Sequence, residues 1–368
     1  MEKRILYVLQ GIGMGGVSSV ILNYFRMLDD EVKADFVVIV PYEHIPTELR
    51  NDLTSKGCKI FHVTPFVKNM RKYRDEVQQI IKSGNYDIVH DNNKYFAFLS
   101  LQPAKKYGIN NRICHVHNTI AANEKGLTHR LFIKTTSKLS VRYATTLLAC
   151  SREAGQSMFG SHNFTVLNNA IDSDTFKFNE ERRAYWRAQL NIENAYTVIM
   201  VARKEVLKRY DFAFHVFHEL CKLRNEAVFL VVGMNEEELS GRDKEAYNGL
   251  PNEEKKRIFL LGRRMDANEL LSAADVFILT SEHEGFGIAI VEAQANGLPC
   301  CVSDAIPRST DCTGLVDYLP TAQQAELWAE TINEKSAVER SKYADIIENG
   351  DFSINHNKKQ LESIYGVK

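Results

Sequence analysis

The sequence has no Cys-x-x-Cys pair, although it carries seven cysteines, at 58, 114, 150, 221, 300, 301 and 312. That excludes the sequence signatures of a zinc ribbon and of a thioredoxin-type redox site. The odd count suits a reducing cytoplasm better than a disulfide framework. Proline is scarce, at eight residues, and tryptophan scarcer, at two. No low-complexity tract or repeat of solenoid period occurs, so linker-rich and repeat architectures are excluded. A membrane span is missing too. Ile5 to Phe25 is free of charge, but Gln10, Gly11, Gly13, Gly15, Gly16, Ser18 and Ser19 interrupt it, and a span needs about 20 apolar residues. No signal-peptide cleavage region follows. The expected location is the cytoplasm, with contact to the inner face of the cell membrane left open.

What the chain does have is an ordinary globular composition over 368 residues, 44% hydrophobic and 25% charged. This length suits two domains. Charge divides along it. Residues 1–170 hold 22 Lys and Arg against 14 Asp and Glu, a net of +8; the remainder holds 24 against 33, a net of −9. A basic half suggests an anionic surface or substrate.

Short apolar runs alternate with amphipathic stretches. The first series is 5–10, 35–40, 59–63, 86–91, 111–118 and 146–151. The second is 164–170, 196–203, 228–233, 258–262, 275–280 and 299–304. Strands alternating with helices predict βαβ units and parallel sheets, here two doubly wound domains. The expected boundaries are 1–167, 168–348, and a helix in 349–368 that packs back on the first domain. Ligands of such sheets bind at the carboxyl ends of the strands. Gly11–Gly16, His90–Asp91, His115, His117–Asn118, Arg203 and Glu282–Glu284 all fall there.

Three patterns carry chemistry. Gly11, Gly13 and Gly16 match Gly-x-Gly-x-x-Gly after a strand and before a helix. The ribose-binding acid of a dinucleotide site is misplaced: Asp35 precedes the second strand and Glu43 lies beyond it. Another phosphate ligand at the helix N-terminus, or a bare turn, are the other readings. Arg203 and Lys208, flanking a loop, can clamp a diphosphate. Glu284-Gly-Phe-Gly-Ile-Ala-Ile-Val-Glu292 offers two carboxylates, loop glycines and a helix N-terminus. His115 and His117 share a strand face. With His90 and Asp91 they could form a zinc site; the preferred reading packs His115 in the sheet and points His117 at ligand. No metal is expected.

Together these patterns resemble the retaining GT-B glycosyltransferases of family GT4, over nearly the whole chain. The resemblance rests on Glu284 and Glu292 with seven residues between them, Glu-Ala-Gln-Ala-Asn-Gly-Leu-Pro-Cys at 292–300, and Gly15–Gly16. His115-Val-His117-Asn118, Ala149-Cys-Ser151, Asn168–Asp172, Arg203 with Lys208, Gly262–Arg263 and Ala274–Asp275 extend it. The closest likeness is to the branch serving capsular, exopolysaccharide or lipopolysaccharide chains. It implies a GT-B architecture, two Rossmann-like domains facing across a cleft, the second holding the nucleotide-sugar. It further implies that Arg203 and Lys208 neutralise the donor diphosphate and that Glu284 and the amides of Phe286 and Gly287 hold sugar hydroxyls. Ile288 and Ala289 offer amides to phosphate, Glu292 accepts from ribose, Arg263 borders the base, and Gly15 and Gly16 face the donor. His117 stands on the acceptor side. The implied reaction moves a hexose or N-acetylhexosamine, from a UDP-sugar by preference, to a glycan or lipid-linked glycan, with no metal or other cofactor. Three features depart from the pattern: Ala202 and Arg209 stand where glycine is usual, and the segment after Ser303–Asp304 lacks the glutamate often found there.

The rival readings are a glycoside hydrolase with Glu284 and Glu292 as its pair, an NAD-dependent oxidoreductase, and a degenerate nucleotide-sugar-binding protein. A basic surface in the first half, Lys68, Arg71, Lys72, Arg74, Lys105, Lys106 and Lys125 to Arg142, suits an anionic bilayer. No nucleic-acid reader motif accompanies it.

Overall fold

A computed structural model describes residues 3–13, 16–28, 32–119, 126–321, 324–336 and 338–367. The chain divides into two units, Met1–Ala170 with Ile354–Lys368, and Ile171–Ser353. The first boundary is set by side chains. Tyr24 Oη and Asn357 Nδ2 both donate to the Asn168 carbonyl, which keeps Asn168 in the first unit. Ile171 N donates to Phe352 O, and Ile171 bridges Ser353 within the second.

The first unit is built on β1 (Lys3–Val8), β2 (Val32–Val38), β3 (Ile60–His62), β4 (Ile88–Asp91), β5 (Asn111–Val116), β6 (Thr146–Ala149) and β7 (Thr165–Val166). Their order is β3-β2-β1-β4-β5-β6-β7, every pair parallel. Ile5 to Val8 and Phe36 to Val38 are fully buried. Strands covered by helices on both faces read as continuous apolar runs rather than alternations. The helix Gly16–Met27 buries Val20, Ile21, Tyr24 and Phe25 against this sheet. The last helix, Ile354–Tyr365, adds Leu361 and Tyr365 to the same core.

The second unit is built on β8 (Tyr196–Val201), β9 (Ala227–Val232), β10 (Ile258–Leu260), β11 (Val276–Leu279), β12 (Cys300–Ser303) and β13 (Val316–Leu319), in the order β10-β9-β8-β11-β12-β13, again all parallel. β13 has no counterpart among the apolar runs. Its four residues are all half-buried and include Asp317, so an edge position hides it from a search for apolar runs.

Candidate active site

Each sheet reverses its winding once. In the second, the chain leaves β8 for β9 on one side and β11 for β12 on the other. Loops leaving adjacent strands in opposite directions open a crevice at their carboxyl ends. Here those loops are 202–209 and 280–287. They are laced together: Thr280 Oγ1 donates to the carbonyls of Lys208 and Arg209, at 2.9 and 3.1 Å, and Glu282 N donates to Leu207 O at 2.8 Å.

The lacing brings Lys208 and Glu284 into one group. Lys208 Nζ is ion-paired with Glu284, and Ser281 Oγ donates to the same carboxylate at 2.7 Å. Arg203 pairs with Glu205 and stays about half exposed. Gly287 caps the helix Ile288–Ala295 with φ +82°, a conformation that glycine adopts without strain. The first helical amides, Ile288 and Ala289, have no partner within their own helix by geometry. Phe286 contributes only backbone: its ring is buried against Phe352.

Glu292, about one turn along that helix, has no side-chain hydrogen bond or ion pair among the described residues. Burial pushes its carboxyl up to about 7. Arg263 lies apart from the Lys208 group, after β10, exposed and 3.5 Å from Glu238. A cavity of about 540 Å³ lies at the other end of the sheet, beside Asp275, Arg183, Arg187 and Arg340. Those guanidinium groups are taken up by backbone carbonyls such as Ala273 and Ala274, so the cavity is structural.

Arg209 explains a departure from the family pattern. Its φ is +54° and its ψ +50°, the left-handed conformation that glycine adopts freely and other residues at a cost of about 1–2 kcal/mol. Its guanidinium is held by Asp211 at 3.0 Å and Glu282 at 2.9 Å. Arg209→Ala and Arg209→Gly both lose these pairs, but only alanine keeps the conformational penalty. The glycine variant is therefore expected to be more stable than the alanine variant by about 1 kcal/mol, read from urea unfolding.

In the first sheet the reversal lies at β1 and β4. The loop after β1 holds Gly11 and Gly13. A Cβ on Gly11 would lie 2.8 Å from Val40, and Gly13 has φ +75° with a Cβ position 2.9 Å from Pro46. Packing and backbone thus account for both glycines without a dinucleotide. Gly16 opens the helix Gly16–Met27; Gly15 lies outside the described residues, as does Lys125.

At the carboxyl ends of β4 and β5 lies a buried polar network. His90 contacts Tyr365 Oη through Nδ1 at 2.7 Å and His115 Nδ1 through Nε2 at 3.1 Å. Tyr365 reaches Tyr7 at 3.1 Å. His115 Nε2 has no partner among the described residues, so the favoured tautomer leaves it a lone pair and donates from Nδ1 to His90. His117 is 2% exposed and contacts Asn92 Oδ1 at 2.9 Å and Asn169 Oδ1 at 3.1 Å. Asn92 Nδ2 is committed to the Val8 and His90 carbonyls, so His117 donates from Nε2, and Asn169 best presents its amide nitrogen to Nδ1. Burial lowers His90 to about 3 and His117 to about 4, and lowers His115 as well. All three are neutral at pH 7. No three His, Cys, Asp or Glu residues among those described are arranged to hold a metal.

On the surface of this unit, the helix Gly126–Tyr143 exposes Leu131 and Phe132 beside Arg130, Lys134 and Lys138. No described helix is long and apolar enough to cross a membrane.

Comparison with known proteins covers both units. Residues 14–175 match the family Glycosyltransferase Family 4, and residues 182–351 match Glycosyl transferases group 1. The chain is 30% identical over 359 residues to EpsF of Bacillus subtilis, a protein named as a glycosyltransferase, covering 93% of this chain and 90% of that one. It is 27% identical over 306 residues, 79% of this chain and 76% of the other, to the Escherichia coli UDP-Gal:alpha-D-GlcNAc-diphosphoundecaprenol alpha-1,3-galactosyltransferase. Among solved structures, Anabaena HepE in complex with UDP-glucose superposes with a TM-score of 0.78 at 18% identity, covering 99% of each chain.

Proposed function

Since the chain belongs to the group 1 glycosyltransferases of family 4 and has their GT-B fold, we propose that it transfers a hexose or N-acetylhexosamine from a UDP-sugar to a glycan or lipid-linked glycan in surface polysaccharide assembly, with retention and without metal. One observation carries the reading: Arg203, Lys208 and Glu284 stand on the two loops at the reversal of the second sheet, braced by Thr280 and Ser281. The naming of the E. coli relative for a UDP-Gal donor and a diphosphoundecaprenol-linked acceptor supports the choice of donor and acceptor class.

The chemistry follows from charge. A nucleoside diphosphate leaves poorly until its developing charge is stabilised. Arg203 supplies a guanidinium, Lys208 an ammonium, and Ile288 and Ala289 supply amides, all fixed before reaction and so without reorganisation cost. Glu284, whose carboxylate already orients Lys208, accepts from donor sugar hydroxyls with its remaining lone pairs. Glu292 accepts from the ribose, and Arg263 borders the base. The departing phosphate oxygen takes the acceptor proton, so no protein nucleophile is needed. His117, neutral, holds the acceptor side together through Asn92 and Asn169.

The test is donor release without added metal across UDP-, GDP- and ADP-sugars, with Arg203→Ala and Glu292→Ala beside the parent. Slow release from one donor, lost in both variants, is the expected result. Silence from every donor, with no nucleotide raising Tm, overturns the reading. The exposed Leu131–Phe132 pair among cations supports docking on an anionic bilayer. Flotation with anionic vesicles, abolished by high salt, is expected; no binding at low salt rejects it.

A further inference from the structure

Four described residues other than glycine have a left-handed backbone: Asn85, Lys94, Asn191 and Arg209. Asparagine tolerates this conformation; lysine and arginine do not. The two cations sit beside the reversals of the two sheets, Arg209 near β8 and Lys94 just after β4. Backbone outliers of this kind concentrate at functional sites. Arg209 has its carboxylates. Lys94 has none: its ammonium makes no hydrogen bond or ion pair among the described residues, although it is half-buried and burial lowers its pKa. The nearest acid in sequence, Asp91, is spent on Ser100 Oγ at 2.6 Å and Asn93 N at 2.7 Å.

A second incomplete group lies beside it. Asn93 is 2% exposed, and both polar atoms of its side-chain amide lack a hydrogen bond among the described residues. The amide is near enough to Asp91 to favour the charged carboxyl, but completes no bond of normal geometry. Buried polar groups are almost always satisfied, so each exception needs a cause. The charge of Lys94 is felt by His117, beyond β5, and by Cys150, beyond β6. Lys94 follows the carboxyl end of β4 as His117 follows that of β5, so both stand at the end of the sheet assigned to the acceptor.

We propose that Lys94 and Asn93 form an anion subsite for the acceptor, in which the ammonium and the amide N–H groups take oxygens of a phosphate or carboxylate and the amide oxygen takes a neighbouring hydroxyl. Lys94 then selects anionic acceptors over neutral ones. The inference rests on the transferase reading, which makes this end of the first sheet the acceptor side.

The test titrates inorganic pyrophosphate, inorganic phosphate and glucuronate into the full-length protein by calorimetry, with UDP absent and with UDP saturating. The parent, Lys94→Met, Lys94→Arg and Arg203→Ala are compared, and UDP affinity is measured separately for each. One anion should bind the UDP complex of the parent, and its Kd should rise about 30-fold or more in Lys94→Met, less in Lys94→Arg. Preference for a phosphate or for glucuronate identifies the anion. Tm of Lys94→Met should equal or exceed the parent's, since the variant removes an unpaired cation; a merely structural lysine would lower it. Failure of UDP to bind the parent counts against the donor reading alone, because titration without UDP still reports on Lys94. Equal anion affinity in parent and Lys94→Met, or no anion binding under either condition, overturns the subsite.

Discussion

Lys208→Ala should lower kcat/KM for sugar transfer by about a thousandfold, the scale for removing one preorganised group that stabilises transition-state charge. Lys208 ends a short turn, Val206–Lys208, whose last carbonyl is fixed by Thr280 Oγ1. Its ammonium is thus placed before substrate arrives. The same substitution strands Glu284, whose side chain is only 11% exposed and would keep only Ser281 as a partner among the described residues. Breaking a buried pair from one side costs about 3–5 kcal/mol, so lost activity alone would not distinguish chemistry from damage. The double variant Lys208→Ala/Glu284→Gln separates them. It should recover most of the stability and none of the rate. Recovery of both would mean that Lys208 serves only to neutralise Glu284.

Glu292→Gln should make the protein more stable and a poorer binder of UDP. Burial raises the carboxyl from its usual 4.5 to about 7. The native state therefore holds this proton more tightly than the unfolded chain does. The resulting stabilisation is complete below pH 4.5 and is lost as pH rises through 7, a swing of about 3 kcal/mol. Glutamine carries no charge at any of these values. Urea denaturation should thus show parent and variant alike near pH 4.5 and the variant ahead at pH 8. UDP affinity should fall about 10- to 100-fold, the worth of hydrogen bonds to a charged acceptor. UDP binding to the parent near pH 6.5 should release a proton, because ribose hydroxyls favour the carboxylate. A variant no more stable than the parent at pH 8 would remove the claim that this charge is held at a cost for binding.

The parallel sheets were legible because both of their faces are covered: runs such as Val228–Val232 are apolar throughout. β13 escaped because an edge strand with Asp317 needs no such run. Arg203, Lys208, Glu284 and Glu292 were legible from type, spacing and family likeness, but the Lys208–Glu284 pair was not. It depends on β8 and β11 being neighbours, which is a property of topology. The conformation of Arg209 was foreshadowed by the glycine usual at that position. His90, His115 and His117 could be picked out in the sequence; their connection to Tyr365, 275 residues from His90, could not. Asn93 and Lys94 match no motif, and only unsatisfied atoms and a left-handed backbone single them out.

The helix Ile354–Tyr365 gives the order of synthesis a consequence. Tyr365 reaches His90 and Tyr7, Asn111 donates to the Ile364 carbonyl, and Leu361 is fully buried in the same core. On the ribosome, chain emerges N-terminus first and domains fold as units when complete. The unit translated first is therefore finished last: its core waits for a helix translated after the whole of the second unit. The unit translated second has all its strands outside before then. A ribosome stalled before the helix Ile354–Tyr365 is made would carry one folded unit and one with an open core, which makes this nascent chain a client for chaperones until that helix docks.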